Sequence, residues 1–430
     1  MTLPAASVVP ARARRAWPLT VRGTGAVVLA GVSAVLAHES GIVELLYFGI
    51  LLAAMPALGF LSLLLVRRTE PARRVIDPET VTVGRPSRVR VRVGLRSVLP
   101  VPPGTWRDDL GGGLDGTASG ILPAFASGLR GGTPDERAID FVYTVTGSRR
   151  GVHELGPLAV TLTDPFGLVR RRVRFPSRTA VTVAPAIVDL IGLTDAPGES
   201  GGTLHATTDR LGQGADNLVA RPYAPGDSMR RIHWRATAHR DQLMVRQEES
   251  ESTPEASVVL DRGALRWSVE AQDLSGEDAA FDAAVSACIS ATARLVRDGY
   301  AVEVVDEEGG ILAERIESGD SAEVEELRTR LALITAHRDT GLAALTRQFA
   351  NASTGPVVVV TGRFDTGDAA ALAPLAPHSA LPLLLCTDPF GDAVEVAASA
   401  GWRVGVLGRD GDVAAAWADA ARRGARHVAH

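Results

Sequence analysis

Lysine is missing altogether. The 45 basic residues of this 430-residue chain are all arginine, which excludes mechanisms that need a lysine nucleophile, a Schiff base or a phosphate-loop lysine. Cysteine is scarce: Cys288 and Cys386 are the only two, far apart and each in an apolar stretch. That placement points to buried free thiols in a reducing compartment rather than a disulfide or a thiolate metal site. A basic surplus is also lacking. The net charge of −5 argues against a chain wholly devoted to nucleic acid, whose domains are usually basic. With 46% hydrophobic and 22% charged residues, the chain has the composition of a folded protein, and its length suits two or three domains.

Charge is absent from one long run. Leu45 to Val66, "LLYFGILLAAMPALGFLSLLLV", carries none, and a helix of that length spans ~33 Å, enough for a bilayer core. Pro56 is a kink that such helices tolerate. A weaker span runs from about 17 to 37 and carries Arg22 near its start, where a snorkelling side chain is acceptable. With the short loop His38 to Glu44, the two spans (about 17–37 and 45–66) form a hairpin, and residues 1–74 are the membrane anchor. Arg12, Arg14 and Arg15 precede the first span; Arg67, Arg68, Arg73 and Arg74 follow the second; the loop has no arginine. The positive-inside rule therefore places the N-terminus and the soluble domains in the cytoplasm, beneath the cell membrane. In the competing reading, a signal peptide is cleaved near "AVLAHE", leaving the second span as an anchor and the soluble part outside.

From 75 to 190 the period becomes two. "SRVRVRVGL" sets Val89, Val91 and Val93 against Arg88, Arg90 and Arg92, and "AIDFVYTVTG" and "LAVTLTDPFGLVRRRVRF" repeat the pattern between Gly/Pro turns. This predicts an antiparallel β-sandwich-like domain. "GGGLDG" (Gly111 to Gly116) formally fits G-x-G-x-x-G, but no helix follows it, and it reads as a loop. Residues 191–215 are Gly/Thr-rich and read as a flexible linker. Residues 255–430 alternate apolar strands ("ASVVLD", "YAVEVVD", "PVVVVTG", "LPLLLCT", "WRVGVLG") with helical segments. This predicts a doubly wound α/β domain whose ligand-facing loops follow Asp261 and Thr361.

Between these domains, segment 216–254 holds "YAPGDSMRRIHWRATAHRDQLMVRQEE". Asp227 or His233 could act as acid or base, but no nucleophile accompanies them. His233 and His239 lack a third ligand at zinc spacing. Arg230, Arg231, Arg235, Arg240 and Arg246 with Tyr223 and Trp234 would suit nucleic acid, except that Glu248, Glu249 and Glu251 follow at once. The structural reading explains more residues. Pro225-Gly226 turns the chain, Asp227 caps, and Ile232 and Ala236 face a core together with either Trp234 (strand) or Met229 (helix). On this reading the motif docks the α/β domain and presents arginines to a partner, and a buried Trp234 would cost ~3–5 kcal/mol to truncate to alanine.

Two spans, a β-domain containing "RGVHELGPLAVTLTDPFGLV", this motif and an α/β domain together resemble the domain-of-unknown-function family 58. The most specific part is Pro225-Gly226-Asp227 followed by Ile232, Trp234 and Ala238. The resemblance implies a von Willebrand factor A-like C-terminal domain. It also implies protein partners: a MoxR-type AAA+ ATPase and a transglutaminase-like membrane protein, with the chain as adaptor or assembly factor for cell-envelope complexes. No nucleic acid and no cofactor is implied. A metal-binding domain of that type carries Asp-x-Ser-x-Ser, whereas this chain has Asp261-Arg262-Gly263-Ala264-Leu265 and Thr361-Gly362. The metal site therefore reads as degenerate, with Asp261, Thr361 and Asp365 as its weak candidates. The expectation is a non-enzymatic membrane scaffold with interaction residues Tyr223, Pro225, Gly226, Asp227, Arg230, Arg231, Ile232, Trp234, Arg235 and Ala238. The alternative is a Mg²⁺-dependent ligand binder or hydrolase.

Overall fold

The computed structural model describes residues 17–97, 99–125, 138–193, 218–223, 229, 232, 234–240, 242–248, 253–274, 277–337, 341–349, 354–408 and 411–423. The linker beyond Leu193, the residues Pro225, Gly226, Asp227, Arg230 and Arg231, and the side chain of Arg235 lie outside that description. The chain divides into two compact units, Met1–Val183 and Ala184–His430.

The first unit opens with helices α1 (Val21–Ser40) and α2 (Val43–Leu64), both long and apolar enough to cross a membrane. Their apolar side chains, among them Val28, Val32, Tyr47, Leu51 and Phe60, point outward. A water-soluble protein would bury such a surface, whereas a bilayer solvates it. α1 starts four residues after Trp17 because Thr20 caps it, its side chain accepting from the Gly23 amide at 3.1 Å. α2 ends where Arg67 begins a strand.

The strands that follow are β1 (Arg67–Asp77), β2 (Val81–Thr82), β3 (Pro86–Arg96), β4 (Gly104–Arg107), β5 (Leu114–Gly116), β6 (Ser119–Leu122), β7 (Ala138–Gly147), β8 (Gly151–Leu155), β9 (Leu158–Thr163), β10 (Arg170–Phe175) and β11 (Thr179–Ala184). They form three sheets in the orders β1-β3-β7-β5, β10-β9-β4-β6 and β2-β11-β8. Their inner faces share one apolar core, with Val89, Val91, Val93, Trp106, Phe141, Val160 and Phe175 in it. In β3 these valines are buried while Arg88 and Arg90 are exposed and Arg92 partly so, as a period of two requires. A fully buried ion pair lies inside this unit. Arg74 donates from Nε and Nη2 to the two oxygens of Asp108, each at 2.8 Å, and the Tyr143 hydroxyl donates to the same carboxylate at 2.8 Å. Burial beside that carboxylate pushes the Tyr143 hydroxyl well above its usual range.

The second unit begins with β12 (Leu218–Pro222), α3 (Trp234–Arg240) and β13 (Met244–Glu248), the two strands pairing antiparallel. A larger sheet follows, built from β14 (Glu255–Leu260), β15 (Ala301–Asp306), β16 (Ile311–Ile316), β17 (Thr354–Phe364), β18 (Ser379–Pro389) and β19 (Arg403–Val406). Its order is β16-β15-β14-β17-β18-β19, parallel except where β16 folds back on β15. Helices α4 (Ala279–Arg297), α5 (Ser321–Leu331), α6 (Ala343–Phe349), α7 (Thr366–Leu372), α8 (Ala393–Ser399) and α9 (Val413–Arg423) connect the strands. α4, α5 and α9 share one core with Val258, Val304 and Leu385; α6, α7 and α8 share another with Val259, Val359 and Leu384. Successive strand residues point to opposite faces, so both faces are covered. α4 matches a membrane span in length and composition, yet Phe281, Ile289 and Leu295 are fully buried, which makes it a core helix.

Connections leave β14 and β17 toward opposite faces, so the crevice at their carboxyl ends is the switch point where such sheets bind ligands. Asp261 and Thr361 flank that crevice.

Candidate functional site

Asp261 follows β14 directly, and its amide donates to the Val360 carbonyl at 2.8 Å, which locks it to β17. Its carboxylate is buried and well partnered. Oδ1 accepts from the Gly263 amide at 2.9 Å, and Oδ2 accepts from the Thr361 hydroxyl at 2.7 Å. Arg266 Nε lies 3.6 Å from Oδ2, and the same guanidinium grips Asp368 with both terminal nitrogens. A cation thus already sits beside Asp261, supplied by the chain. Gly362 follows Thr361 at the mouth of the crevice. A Cβ there would lie 2.3 Å from the Arg266 carbonyl, so no side chain fits unless that loop moves. Asp365 is engaged elsewhere. It caps α7, accepting from the Asp368 amide at 2.9 Å, while its own amide donates to Asp368 Oδ2 at 3.0 Å. Asp261 and Thr361 are brought together, and Asp365 is not.

A second cluster adjoins at the end of β15. Asp306 closes the β15–β16 turn, its Oδ1 accepting from the Gly310 and Glu308 amides at 2.6 and 3.2 Å. Glu307 comes next and is fully buried; Oε2 accepts from the Arg262 amide at 2.9 Å, whereas Oε1 accepts no hydrogen bond. His337 lies between the two carboxylates, Nε2 3.6 Å from Asp306 Oδ2 and Nδ1 3.4 Å from Glu307 Oε1. Its backbone is tied to the first loop, the amide donating to the Arg262 carbonyl at 2.8 Å and the carbonyl accepting from Ala264 at 2.7 Å. Donor atoms of Asp306, Glu307 and His337 fall within 4.8 Å of one another, close enough to hold an ion. The Arg262 guanidinium competes for that place, 3.4 Å from Asp306 Oδ2. Burial, more than any neighbour, pushes the Glu307 carboxyl up from 4.5 to about 7; the Asp261 charge adds to this, and the Arg262 amide and His337 oppose it.

In the signature segment, Ile232 is buried and bridges Val245, and Met244 beside it is also buried. The Tyr223 amide donates to the Leu243 carbonyl at 2.8 Å, and the Met244 amide donates to the Thr237 hydroxyl at 3.0 Å. The helix starts at Trp234, which settles the choice between strand and helix: Ile232 lies in a bridge and Trp234 opens α3. Burial of Trp234 is overturned, because the side chain is 69% exposed. The helical turn starting there carries it away from the face that Ile232 buries. Ala238 is exposed as well.

Sequence reasoning overlooked Arg266, Asp306, Glu307, His337 and Asp368. The acidic run after "YAVEVV" is a usable signal, since it lies at the carboxyl end of the strand paired with β14. His337 carried none, because it reaches the site only through the fold of the segment after α5.

No curated protein matches the chain. Among solved structures, a CARDB domain from Pyrococcus furiosus, solved in complex with di-metal ions, is 14% identical and aligns over 27% of this chain and 93% of its own, with a TM-score of 0.19. A cohesin module from a Clostridium perfringens family 33 glycoside hydrolase is 16% identical over 27% and 98%, with a TM-score of 0.17. Scores this low carry no argument about fold or function. The family comparison is specific: the matched stretch starts in β12, contains the signature segment and the Asp261–Thr361 crevice, and ends in α7. Residues 219–367 match the model of DUF58, a family described as proteins of unknown function.

Proposed function

We propose that this chain is a membrane-anchored, non-enzymatic adaptor whose C-terminal unit offers a protein-binding surface on segment 216–254. The observation that carries this reading is the exposed Trp234 on the family's most specific motif, with Met229 and Leu243 also exposed. Tryptophan and arginine are the residues most enriched at interface hot spots. By resemblance, the partners are a MoxR-type AAA+ ATPase and a transglutaminase-like membrane protein, met on the cytoplasmic side where the flanking arginines place this unit. The doubly wound sheet supports the von Willebrand A-like reading, and the Arg266 guanidinium beside Asp261 supports a module that works without a bound cation. The test is a crosslinking pulldown of the full chain from native membranes. Trp234→Ala, and separately substitution of Arg230, Arg231 and Arg235, should each deplete a partner that the wild type captures. Retention of every partner by both variants overturns the proposal. The rival reading, a Mg²⁺-dependent binder or hydrolase using Asp261, Thr361 and Asp365, requires Mg²⁺ binding to the purified chain that Asp261→Ala abolishes.

A further inference from the structure

In the first unit, the β-domain is fastened to the ends of the two apolar helices. Leu19 bridges Val169, the Arg170 amide donates to the Pro18 carbonyl at 2.7 Å, and the Thr20 amide donates to the Leu168 carbonyl at 2.8 Å. Arg171 reaches under the end of α2 and donates to the Leu63 and Val66 carbonyls at 2.5 and 3.2 Å. At Gly59 of α2, a Cβ would lie 2.8 Å from Asp164 Oδ2, so the turn before β10 presses against the last helical turns. With α1 and α2 in a bilayer, these contacts hold the start of β10 at headgroup level.

A cleft of about 1440 Å³ opens at this level, and Trp17, Phe60, Arg107, Arg170, Arg172 and Arg174 are among its lining residues, which include no carboxylate. The period of two puts Arg170, Arg172 and Arg174 on one face of β10, all exposed. Arg107 joins the same face across the sheet, in the row Arg174–Ala159–Arg107 set by the β10–β9 and β9–β4 registers. Among the described residues these four guanidiniums have no carboxylate partner, although like charges so spaced repel. Between them the floor carries Thr105, Gly120, Ala159 and Thr161, with the exposed Ile121 beyond Thr105 at its far side. Phe60 and Leu64 of α2 form an apolar lip, and Trp17 is 63% exposed beside it, a residue type that settles at membrane interfaces.

We propose that this cleft is a binding site for one anionic phospholipid, whose phosphate is held by Arg107, Arg170, Arg172 and Arg174 and whose acyl chain runs along Phe60 and Leu64. A phosphate accepts several charge-assisted hydrogen bonds from guanidiniums and relieves their mutual repulsion. The apolar lip continuous with α2 selects a lipid over a free anion. The site is independent of the adaptor reading, since it lies wholly within the first unit.

The experiment uses the full chain in nanodiscs of phosphatidylcholine with or without phosphatidylglycerol. Lipids retained on the protein are then counted by native mass spectrometry after detergent exchange. Phosphatidylglycerol should be retained in preference to phosphatidylcholine. Each guanidinium is worth roughly a factor of five near an anionic surface, so Arg107→Gln/Arg172→Gln/Arg174→Gln should lose about a hundredfold in retention. The matched triple lysine variant should keep most of it. All these side chains point outward, so melting behaviour should match wild type, and the lysine variant separates charge from folding. Equal retention of both lipids, or full retention by the glutamine variant, overturns the proposal. So does displacement of the lipid by millimolar inorganic phosphate, which would make this a free-anion site.

Discussion

The surroundings of Glu307 conflict with its chemistry: it is a fully buried carboxyl whose Oε1 accepts no hydrogen bond, with the His337 ring 3.4 Å away. Because its folded value is raised from 4.5 to about 7, its contribution to stability is fully present below about 4.5 and is lost as pH rises through about 7. At 1.36 kcal/mol per pH unit, the loss amounts to about 3 kcal/mol. Glu307→Gln keeps an acceptor for the Arg262 amide, so the variant should show a flatter dependence of unfolding free energy on pH between 5 and 8. An unchanged slope would place the charge elsewhere. Trp234 makes the opposite case. It is exposed, so Trp234→Ala should shift stability by no more than about 0.5 kcal/mol in denaturant titration. In contrast, Asp108→Ala strands the buried Arg74 guanidinium and should cost about 3–5 kcal/mol.

Elements were legible to different degrees. The alternation in β3 and β10 and the apolar runs of β14, β17 and β18 follow from local period and burial, and the strands form where those patterns lie. The antiparallel β16 escaped, since "ILAERI" has no clear period and is held by its pairing with β15. α4 shows the limit of composition: it has the apolarity of a membrane helix but packs in a core. At the crevice, Asp261 and Thr361 were legible as strand ends, whereas the Arg266 guanidinium between Asp261 and Asp368 comes from a loop with no periodic signal. Gly362 makes this testable. Gly362→Ala should drive the loop off β17 and cost about 1–3 kcal/mol, read by thermal unfolding, as overpacking does.

For the molecule as a whole, two apolar helices with outward-facing side chains make a membrane protein. The full chain should stay with membranes through alkaline carbonate extraction, and a chain lacking residues 1–66 should be released. Tags placed at the N-terminus and after Ala184 should both be reached by protease from the cytoplasmic side if the arginine distribution sets the orientation. Cys288 and Cys386 are fully buried, and burial pushes the Cys288 thiol up to about 12. Both should resist alkylation at pH 8 until the second unit unfolds.

Sequence alone determined where the chain is apolar enough to span a bilayer, where its period changes from helix to strand, and which motif carries its resemblance to DUF58. Those properties are local, because hydropathy and period act over a few neighbouring residues. Only the tertiary structure decided that Trp234 faces out, that Arg266 takes a cation's place beside Asp261, that His337 closes on Asp306 and Glu307, and that the arginines of β10 line up with Arg107 beside α2. Each of these joins residues far apart in the chain, and sheet register and loop packing set such distances where no local pattern can.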